Sequence, residues 1–493
     1  MGSKAGIGIS VGSDSIRILK GQRDPNGLLQ ILDAIVLPSP LREDTNAEVL
    51  HQEAKKILKS RKFSGSGLIG ITGRELILRY VQVPQVSEQR LKAMLAYEIS
   101  ELSDKIGGDL ATGFKILDSS SLRGFRDEQL ALVALTKNPF LESLFRKIQR
   151  LRLHPTGATP NSIALFRCFI RQGSFDSNET LLLVDIGKNN TDICLCQQSK
   201  LLFARNLSHG AALLTQAIQE QLGLPEAEAE RLKIQESSLL PGSSENKAND
   251  AIRYGAGQLL SSIKSSLTFA KQQLKSPQLK VDRVCLSGGG GQQKGLPEYL
   301  SKGLGIPVIR FDPAVEIDLS LCSEAGKSLI TSAPLEWAVP LGILEASTDE
   351  TGFSLKLLPK IYEKRSQFLE GPFFLYLTVL FTISYLAVHI LSTQRQYDIL
   401  TRQKQKLLSQ RNLLEELKES FKNSEENTRQ YQGKLALFQD AILPGTHFFK
   451  VITKLNAKIP SNIWIKSVAI KEESQTQKKI IEIAEPMGVV AAI

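Results

Sequence analysis

The sequence predicts an α/β protein of two similar lobes, followed by a single membrane-spanning helix. Residues 1 to about 350 alternate short apolar strands with helical stretches, which is typical of α/β architecture. A strand–turn–strand unit near residue 6 recurs about 175 residues later, so we expect two lobes that face a cleft. An uncharged apolar run of about twenty residues begins at Gly371, and this length is enough to cross a membrane.

Composition narrows the class of protein. The 493 residues are enough for more than one hydrophobic core. Hydrophobic residues make up 42% and charged residues 23%, as in folded soluble domains, which argues against a polytopic membrane protein. The formal net charge of +10 is spread along the chain without a basic tract, so we expect no nucleic-acid partner.

The strands of the two hairpins are short apolar runs broken by turn residues. Gly12, Ser13 and Asp14 form the first turn, and residues 187–190 form the second. The predicted strands cover residues 6–11, 16–20, 181–185, 193–196 and 283–286. No GxxxxGK[ST] motif is present, so the chain is not a P-loop protein.

Three glycine-bearing segments can bring backbone N–H groups close to an anion, because glycine has no Cβ in the way. They are residues 8–15, residues 184–192, and residues 285–291, where a strand runs into four glycines. Taken singly, each segment is explained by an ordinary turn. Their order and spacing together point to a phosphate-binding cleft.

In that order and spacing, residues 8–17, 185–192 and 287–291 resemble the two phosphate loops and the adenosine loop of actin-like ATPases. Within that superfamily, the chain resembles the type IV pilus assembly family PilM and the related type II secretion family GspL. Further segments carry the same resemblance: residues 214–218, 228–233, 295–308 and 337–342. Residues 79–102 resemble the subdomain inserted in PilM. The resemblance implies duplicated RNase H-like lobes.

The resemblance extends beyond the head. Leu357, Leu358 and Pro359 resemble the Asn-Leu-Leu-Pro segment that opens PilN, the membrane partner whose tail docks on PilM. Residues 458–465 resemble PilN beyond the membrane, which implies a partial, ferredoxin-like α+β outer domain. GspL joins both parts in one chain, and the architecture here is similar.

The family match implies a site for ATP and Mg²⁺, with hydrolysis slow or absent. Ser10 stands where the family has an Asp that helps to hold Mg²⁺, and Arg17 replaces a phosphate-binding Lys. By the match, Asp185 serves Mg²⁺ through water, while Glu230 and Lys233 contact the ribose or base. The remaining expected nucleotide-binding residues are Gly12, Ser13, Gly187, Thr191, Gly288, Gly289 and Gly290. No catalytic residue is expected.

The cysteines favour a reducing compartment for the head. All five (Cys168, Cys194, Cys196, Cys285 and Cys322) precede the apolar run, in contexts typical of buried thiols. Their spacing does not suit zinc, so we expect no structural metal. The first ten residues contain no apolar stretch long enough for a signal peptide, so we expect the head to stay where it is made. We therefore expect a cytoplasmic head and a periplasmic C-terminus on a bacterial inner membrane, although basic residues are nearly balanced on the two sides of the run.

Beyond the membrane run, residues 393–443 are rich in Gln, Lys, Glu and Leu, with Leu400, Leu407, Leu414 and Phe421 at heptad spacing. Either a solvated helix or a coiled coil fits, since Lys404 and Arg411 interrupt the second apolar row. Pro444 and Gly445 are expected to end the helix. The predicted organisation is a head (1–350), a linker (351–370), a membrane helix (371–392), a long helix (393–443) and an outer domain (444–493) with strands at 463–470 and 478–483.

Together these features predict an inner-membrane assembly-platform scaffold of a type IV pilus or type II secretion system. Its expected partners are other platform proteins and a cytoplasmic assembly ATPase, with association in homo- or hetero-oligomers through the helix after the membrane. Two alternatives stay open. One is an active actin-fold ATPase or kinase, which Ser10 disfavours. The other is a division protein like FtsA, whose family ends in a helix that lies on the membrane.

Overall fold

The computed structural model describes residues 5–39, 47–106, 108–118, 128–172, 179–240, 246–349, 351–363 and 372–458. The chain divides into two units, Met1–Leu375 and Tyr376–Ile493, and each is described by itself. The first unit contains the three sheets formed by the described residues, together with the main hydrophobic core. Among the described residues, the second consists of helix.

The strands and helices have the following bounds. The strands are β1 (Gly6–Val11), β2 (Ser15–Arg23), β3 (Leu29–Pro38), β4 (Gly65–Ile71), β5 (Leu76–Pro84), β6 (Leu110–Leu117), β7 (Glu128–Lys137), β8 (Leu153–Pro160), β9 (Thr180–Ile186), β10 (Thr191–Gln197), β11 (Lys200–Leu207), β12 (Arg283–Ser287), β13 (Val308–Arg310) and β14 (Ile317–Asp318). The helices are α1 (Ala47–Ser60), α2 (Glu88–Ile106), α3 (Asn138–Arg150), α4 (Asn161–Arg171), α5 (Ala212–Leu222), α6 (Glu226–Gln235), α7 (Lys247–Gln273), α8 (Leu296–Leu304), α9 (Glu324–Ser332) and α10 (Ala338–Thr348).

Two sheets share one topology. The first has the order β14-β3-β2-β1-β4-β8 and the second the order β11-β10-β9-β12-β13. In each, three antiparallel strands from consecutive hairpins are followed by two strands parallel to the first. The strands β1, β2, β3, β4 and β8 thus correspond to β9, β10, β11, β12 and β13, while β14 is added at one edge. This repetition confirms the prediction of two similar lobes.

An inserted subdomain lies in the chain between β4 and β8. Its antiparallel sheet has the order β5-β7-β6, and helix α2 packs on it through Leu91 and Leu95 to form a small separate core. The predicted insert, residues 79–102, covers most of the first strand and of the helix but not the two later strands. Their apolar pattern alone does not distinguish them from strands of the main sheet.

The insert contacts the second lobe through β5. Tyr80 stacks on Phe203 of β11 with ring centroids 5.2 Å apart, and its buried hydroxyl donates to the carbonyl of Ala204 at 2.6 Å. Asn206 donates through Nδ2 to the carbonyls of Gly73 and Leu76 at 2.6 and 3.0 Å. The segment leaving the first lobe is therefore joined to the second.

Helices α4 and α10 pack against each other, with α10 lying on β1, β2 and β4 of the first sheet and α4 lying mainly on β10 and β11 of the second. Nearly every residue of α10 is buried, which explains why its sequence is apolar on all sides. A Cβ at Gly342 would lie 1.7 Å from the carbonyl oxygen of Ala164 on α4. A Cβ at Gly8 of β1 would likewise lie 2.6 Å from the backbone nitrogen of Leu344. Glycine permits both close approaches.

Residues 351–363 dock on the first lobe and the insert. Leu357 forms an antiparallel bridge with Ala158 of β8, with both N–H···O distances between 2.7 and 2.8 Å. The Leu357 side chain is 0% exposed. At the far end, Tyr362 packs against Phe145 of α3 with ring centroids 5.2 Å apart and accepts a hydrogen bond from Gln149 at 2.7 Å. The docked segment therefore belongs to the head.

A long helix spans Pro372–Asn456. At about 1.5 Å per residue its apolar first twenty residues extend roughly 30 Å, which matches the hydrocarbon core of a membrane. Among the described residues, it is the one helix that is long and apolar enough to cross a membrane. The prediction that Pro444 and Gly445 end it is wrong, because a single proline removes one backbone donor and the helix continues to Asn456. The predicted strands at 463–470 and 478–483 lie outside the described residues.

We predict that Gly342→Ala destabilises the head by about 1–3 kcal/mol, because the new Cβ forces α4 and α10 apart. The matched control is Gly257→Ala on α7, where the nearest atom to the new Cβ, the Tyr299 hydroxyl oxygen, is 3.5 Å away. The control should be neutral or slightly stabilising. Chemical unfolding of both variants measures the difference, and equal effects would show that the helix crossing is not tight.

Candidate functional site

A cavity of about 610 Å³ lies in the cleft between the two lobes. All three predicted glycine segments reach its wall, together with α6 and the residues just before α10. Of the expected site residues, those that line it are Ser10, Gly12, Ser13, Arg17, Asp185, Gly187, Glu230, Lys233, Gly288, Gly289 and Gly290. Its volume is typical of small-molecule sites.

Thr191 does not reach this cavity. It is fully buried, and its hydroxyl donates to the backbone carbonyl of His209 at 2.7 Å. The residue therefore supports the second hairpin instead of facing a ligand. Its place next to the turn in sequence suggested a role in the site, but strand alternation turns its side chain inward.

The glycine turn after β12 lies directly on the end of β9. Gly288 has φ +82, and a Cβ there would lie 2.4 Å from the carbonyl oxygen of Ile186. A Cβ at Gly290 would lie 2.5 Å from the Ile186 side chain. Only glycine fits this combination of left-handed backbone and close contact, so the turn brings its peptide groups to the cavity wall.

Arg17 forms an ion pair with Glu336, whose backbone immediately precedes α10. Arg17 also donates to the Ser15 hydroxyl at 3.2 Å, and Gln292 of the glycine turn donates to Glu336 at 3.3 Å. The Glu336 carboxylate therefore joins the first hairpin to the glycine turn of the second lobe, inside the cavity that both line.

A second ion pair joins the tips of the two hairpins. Lys188 Nζ lies 2.7 Å from an Asp14 carboxylate oxygen and 3.0 Å from Glu226 of α6. Partial burial lowers the pKa of Lys188, but the hydrogen bonds to the two carboxylates outweigh it and raise the pKa overall. The turns that would face phosphate are thus held together by opposite charges.

A partly buried carboxylate and a fully buried one face each other across the second hairpin. Asp185 and Asp192 are paired residues of β9 and β10. The Ser287 hydroxyl donates to Asp185 at 2.7 Å, and the Thr72 hydroxyl of the first lobe donates to Asp192 at 2.8 Å. Burial, reinforced by the Asp185 charge, raises the pKa of Asp192 to about 8. Burial likewise raises the pKa of Asp185, although the Ser287 hydrogen bond and the Arg17 charge oppose it.

A third charged group lies where α6 meets α5. Lys233 Nζ donates to Glu230 at 2.7 Å and to the Thr215 hydroxyl at 3.0 Å. Burial would raise the pKa of Glu230, but hydrogen bonds from Lys233 and from the Thr215 hydroxyl, together with the Lys233 charge, hold it below its usual range. Both residues line the cavity as expected, and they are already paired with each other.

Arg17, Lys188 and Lys233 are therefore each paired with a carboxylate. An incoming phosphate must compete with those carboxylates for the same donors. Within the described ranges, no group of three His, Cys, Asp or Glu side chains is placed to hold a metal ion. A Mg²⁺ ion bound here would take most of its ligands from phosphate and water, with Asp185 as the carboxylate that the family match assigns to it.

Sequence reasoning missed several residues of this cavity. Asp14 and Asp192 were within the quoted motifs but were given no role. Thr72 and Asn161 come from elements with no glycine signal, and Glu336 is 319 residues from its partner Arg17. Nothing local in the sequence marks these three, because their roles arise from the way the lobes meet.

The repeated sheet topology, the cleft between the lobes and the inserted subdomain define an actin-like fold. A solved structure of a PilM–PilN type IV pilus biogenesis complex shares it, with a TM-score of 0.57 and 20% sequence identity over 70% of this chain and 98% of that chain. More distant similarities are to a diol dehydratase-reactivating factor in nucleotide-free form (TM-score 0.41, 10% identity, 70% of this chain and 100% of that chain) and to the ethanolamine utilization protein EutJ from Carboxydothermus hydrogenoformans (0.37, 13%, 70% and 90%).

In sequence, residues 158–343 match the family model of the type IV pilus assembly protein PilM. None of the curated proteins matches the chain. The matched region begins in β8 and runs through the second lobe to α10, so it includes the second hairpin, the glycine turn and Glu336. The head is therefore a PilM-like protein of actin-like fold.

We predict that Asp192→Asn removes part of the pH dependence of stability. The folded-state pKa of Asp192, about 8, exceeds the unfolded value of about 3.9. The stabilisation that protonated Asp192 contributes is therefore complete below pH 4 and is lost as pH rises toward 8. Across this window, the free energy of unfolding of the variant should rise relative to that of the wild type, by up to about 1.4 kcal/mol per pH unit. Melting temperatures from pH 4 to 9, in chelator, test this.

The control for this experiment is Asp250→Asn, which removes an exposed carboxylate paired with Arg253. Its difference from the wild type should be nearly constant across the same pH range. If the Asp192→Asn difference is equally constant, Asp192 is ionised throughout and the carboxylates do not share a desolvated site.

Proposed function

We propose that this chain is an inner-membrane assembly-platform scaffold of a type IV pilus or type II secretion system, with its PilM-like head in the cytoplasm and its C-terminus in the periplasm. One observation carries the proposal. The head continues, through residues that dock on its own surface, into an apolar helix of membrane-spanning length.

The docked segment supports a fused head and anchor. Its Leu357-Leu358-Pro359 sequence resembles the opening of PilN, and PilM and PilN occur together in the solved complex that shares this fold. Here Leu357 pairs with β8 of the same chain, and Tyr362 a few residues later packs on α3. We therefore infer that one polypeptide combines the two roles, as the resemblance to GspL also suggests.

The helix beyond the apolar run supports association with other platform subunits. The heptad residues Leu400, Leu407, Leu414 and Phe421 are 63–73% exposed in the single chain. A repeating apolar stripe is stabilised by packing against a second helix. We propose that this stripe forms a homo- or hetero-oligomeric coiled coil, while the head contacts a cytoplasmic assembly ATPase.

The cleft supports ATP binding with Mg²⁺, with slow or absent hydrolysis. Its volume, its glycine turn and its cationic side chains suit a nucleotide. Ser10 supplies no carboxylate at the first loop, which weakens the support for a hydrolytic metal site. In this proposal the nucleotide adjusts the contacts between the lobes and is not consumed in a rapid cycle.

We predict that Leu357→Asp releases the docked segment, because it places a charge at a side chain that is 0% exposed. Limited proteolysis of the full chain in detergent should then cut residues 351–363 at least about tenfold faster, the change expected for a loss above 1.4 kcal/mol. The matched control, Leu321→Asp, alters a leucine that is 58% exposed and should leave the cutting pattern unchanged. Equal cleavage in both variants would mean that the segment is not held by the head.

We also predict that Glu336→Gln increases ATP affinity by roughly tenfold, because it frees the Arg17 guanidinium to pair with phosphate. Arg17→Gln should weaken binding. Calorimetric titration of the full chain with ATP and Mg²⁺ measures both, and Glu298→Gln, on the exposed face of α8, is the control. No binding by the wild type or by Glu336→Gln at millimolar ATP would leave a scaffold without nucleotide.

A further inference from the structure

The exposed side of α3 carries a row of cations. Arg146 and Arg150 are four residues apart and Lys147 lies beside them, so all three project from one face of the helix. Arg152 follows in the turn after the helix, where its φ is +64. The opposite face of α3 is buried through Leu141, Leu144, Phe145 and Ile148. We call Arg146, Lys147, Arg150 and Arg152 the α3 basic face.

Across the described residues, no carboxylate pairs with any side chain of the α3 basic face. The nearby acidic groups are engaged elsewhere: Glu142 accepts from Asn138 at 2.8 Å, and Asp109 pairs with Lys360. Cations in the last turn of a helix also interact favourably with its dipole, which accounts for Lys147 and Arg150 in part. Arg146 lies before the last turn and Arg152 lies beyond the helix end, so the dipole explains neither of them.

The docked segment places the chain's route to the membrane helix next to this face. Tyr362 contacts Phe145 and Gln149 of α3, and only residues 364–371 separate Glu363 from the helix that begins at Pro372. Ile361, immediately before Tyr362, is 63% exposed, although Leu355 and Leu357 earlier in the segment are buried. Lys364 and Arg365 follow in the sequence.

We propose that the α3 basic face, with Ile361, is a second membrane contact that binds the anionic headgroups of the leaflet on the head's side. The inference rests on the membrane anchoring proposed above. An apolar side chain beside clustered cations is the combination by which interfacial surfaces bind anionic lipid. The short connection keeps this face near the bilayer once the helix is inserted. The contact holds the head against the membrane surface.

The test uses the full chain in nanodiscs of phosphatidylcholine alone or with phosphatidylglycerol. Mass spectrometry measures the rate at which an amine-reactive reagent labels Lys147. We expect labelling to slow several-fold in the anionic discs and to recover at high salt, because the contact is electrostatic. Lys264, exposed on α7 of the second lobe, is the internal control and should react equally in both discs.

The double substitution Arg146→Glu and Arg150→Glu should abolish the slowing at Lys147, whereas Lys264→Glu should not. Labelling of Lys147 that is independent of lipid charge, in chains retained by the discs, would overturn this inference alone. Chains that are not retained by either kind of disc would overturn the membrane anchoring and the inference with it. Slowing in both kinds of disc to the same extent would indicate steric shielding and would also contradict headgroup binding.

Discussion

The structure of the head depends on how closely α10 approaches its neighbours. Gly342 lets α10 touch the backbone of α4, and Gly8 lets β1 lie against α10. A side chain at either position would occupy space that backbone atoms already fill. Because β1 continues into the first hairpin turn and α10 begins just after Glu336, this packing fixes where the walls of the cleft stand. The positions of the cavity residues therefore depend on close contacts at Gly8 and Gly342, which lie outside the cavity wall.

Within the cleft, opposite charges hold the lobes together in the absence of a ligand. Arg17 of the first hairpin is paired with Glu336, which precedes α10. Lys188 in the turn of the second hairpin is paired with Asp14 in the turn of the first. Such partly exposed pairs contribute little to stability, about 0–1 kcal/mol each. Their greater effect is on binding, because any phosphate that enters must replace a carboxylate as the partner of the same cation.

Local sequence predicts what local geometry determines. Both hairpins, the glycine turn and the apolar helix are specified by residues within a few positions of one another, and the structure has all of them. Contacts between distant segments were not predictable: Thr72 reaches Asp192 across the cleft, and Leu357 pairs with Ala158. Thr191 and Pro444 show two other limits. A side chain next to a turn can face the core, and a proline can lie within a helix when the residues around it still favour one.

The cleft and the docked segment lie at opposite ends of one buried helix. Glu336 precedes α10, and Asp349 follows it. Arg167 of α4 donates to the backbone carbonyl of Asp349 at 2.9 Å, and Arg23 of β2 pairs with Glu345 on the last turn. The docked segment then starts within a few residues of Asp349. The cavity residue Glu336 and the start of the docked segment are therefore joined by a single helix, whose close packing leaves little room for one end to shift without the other.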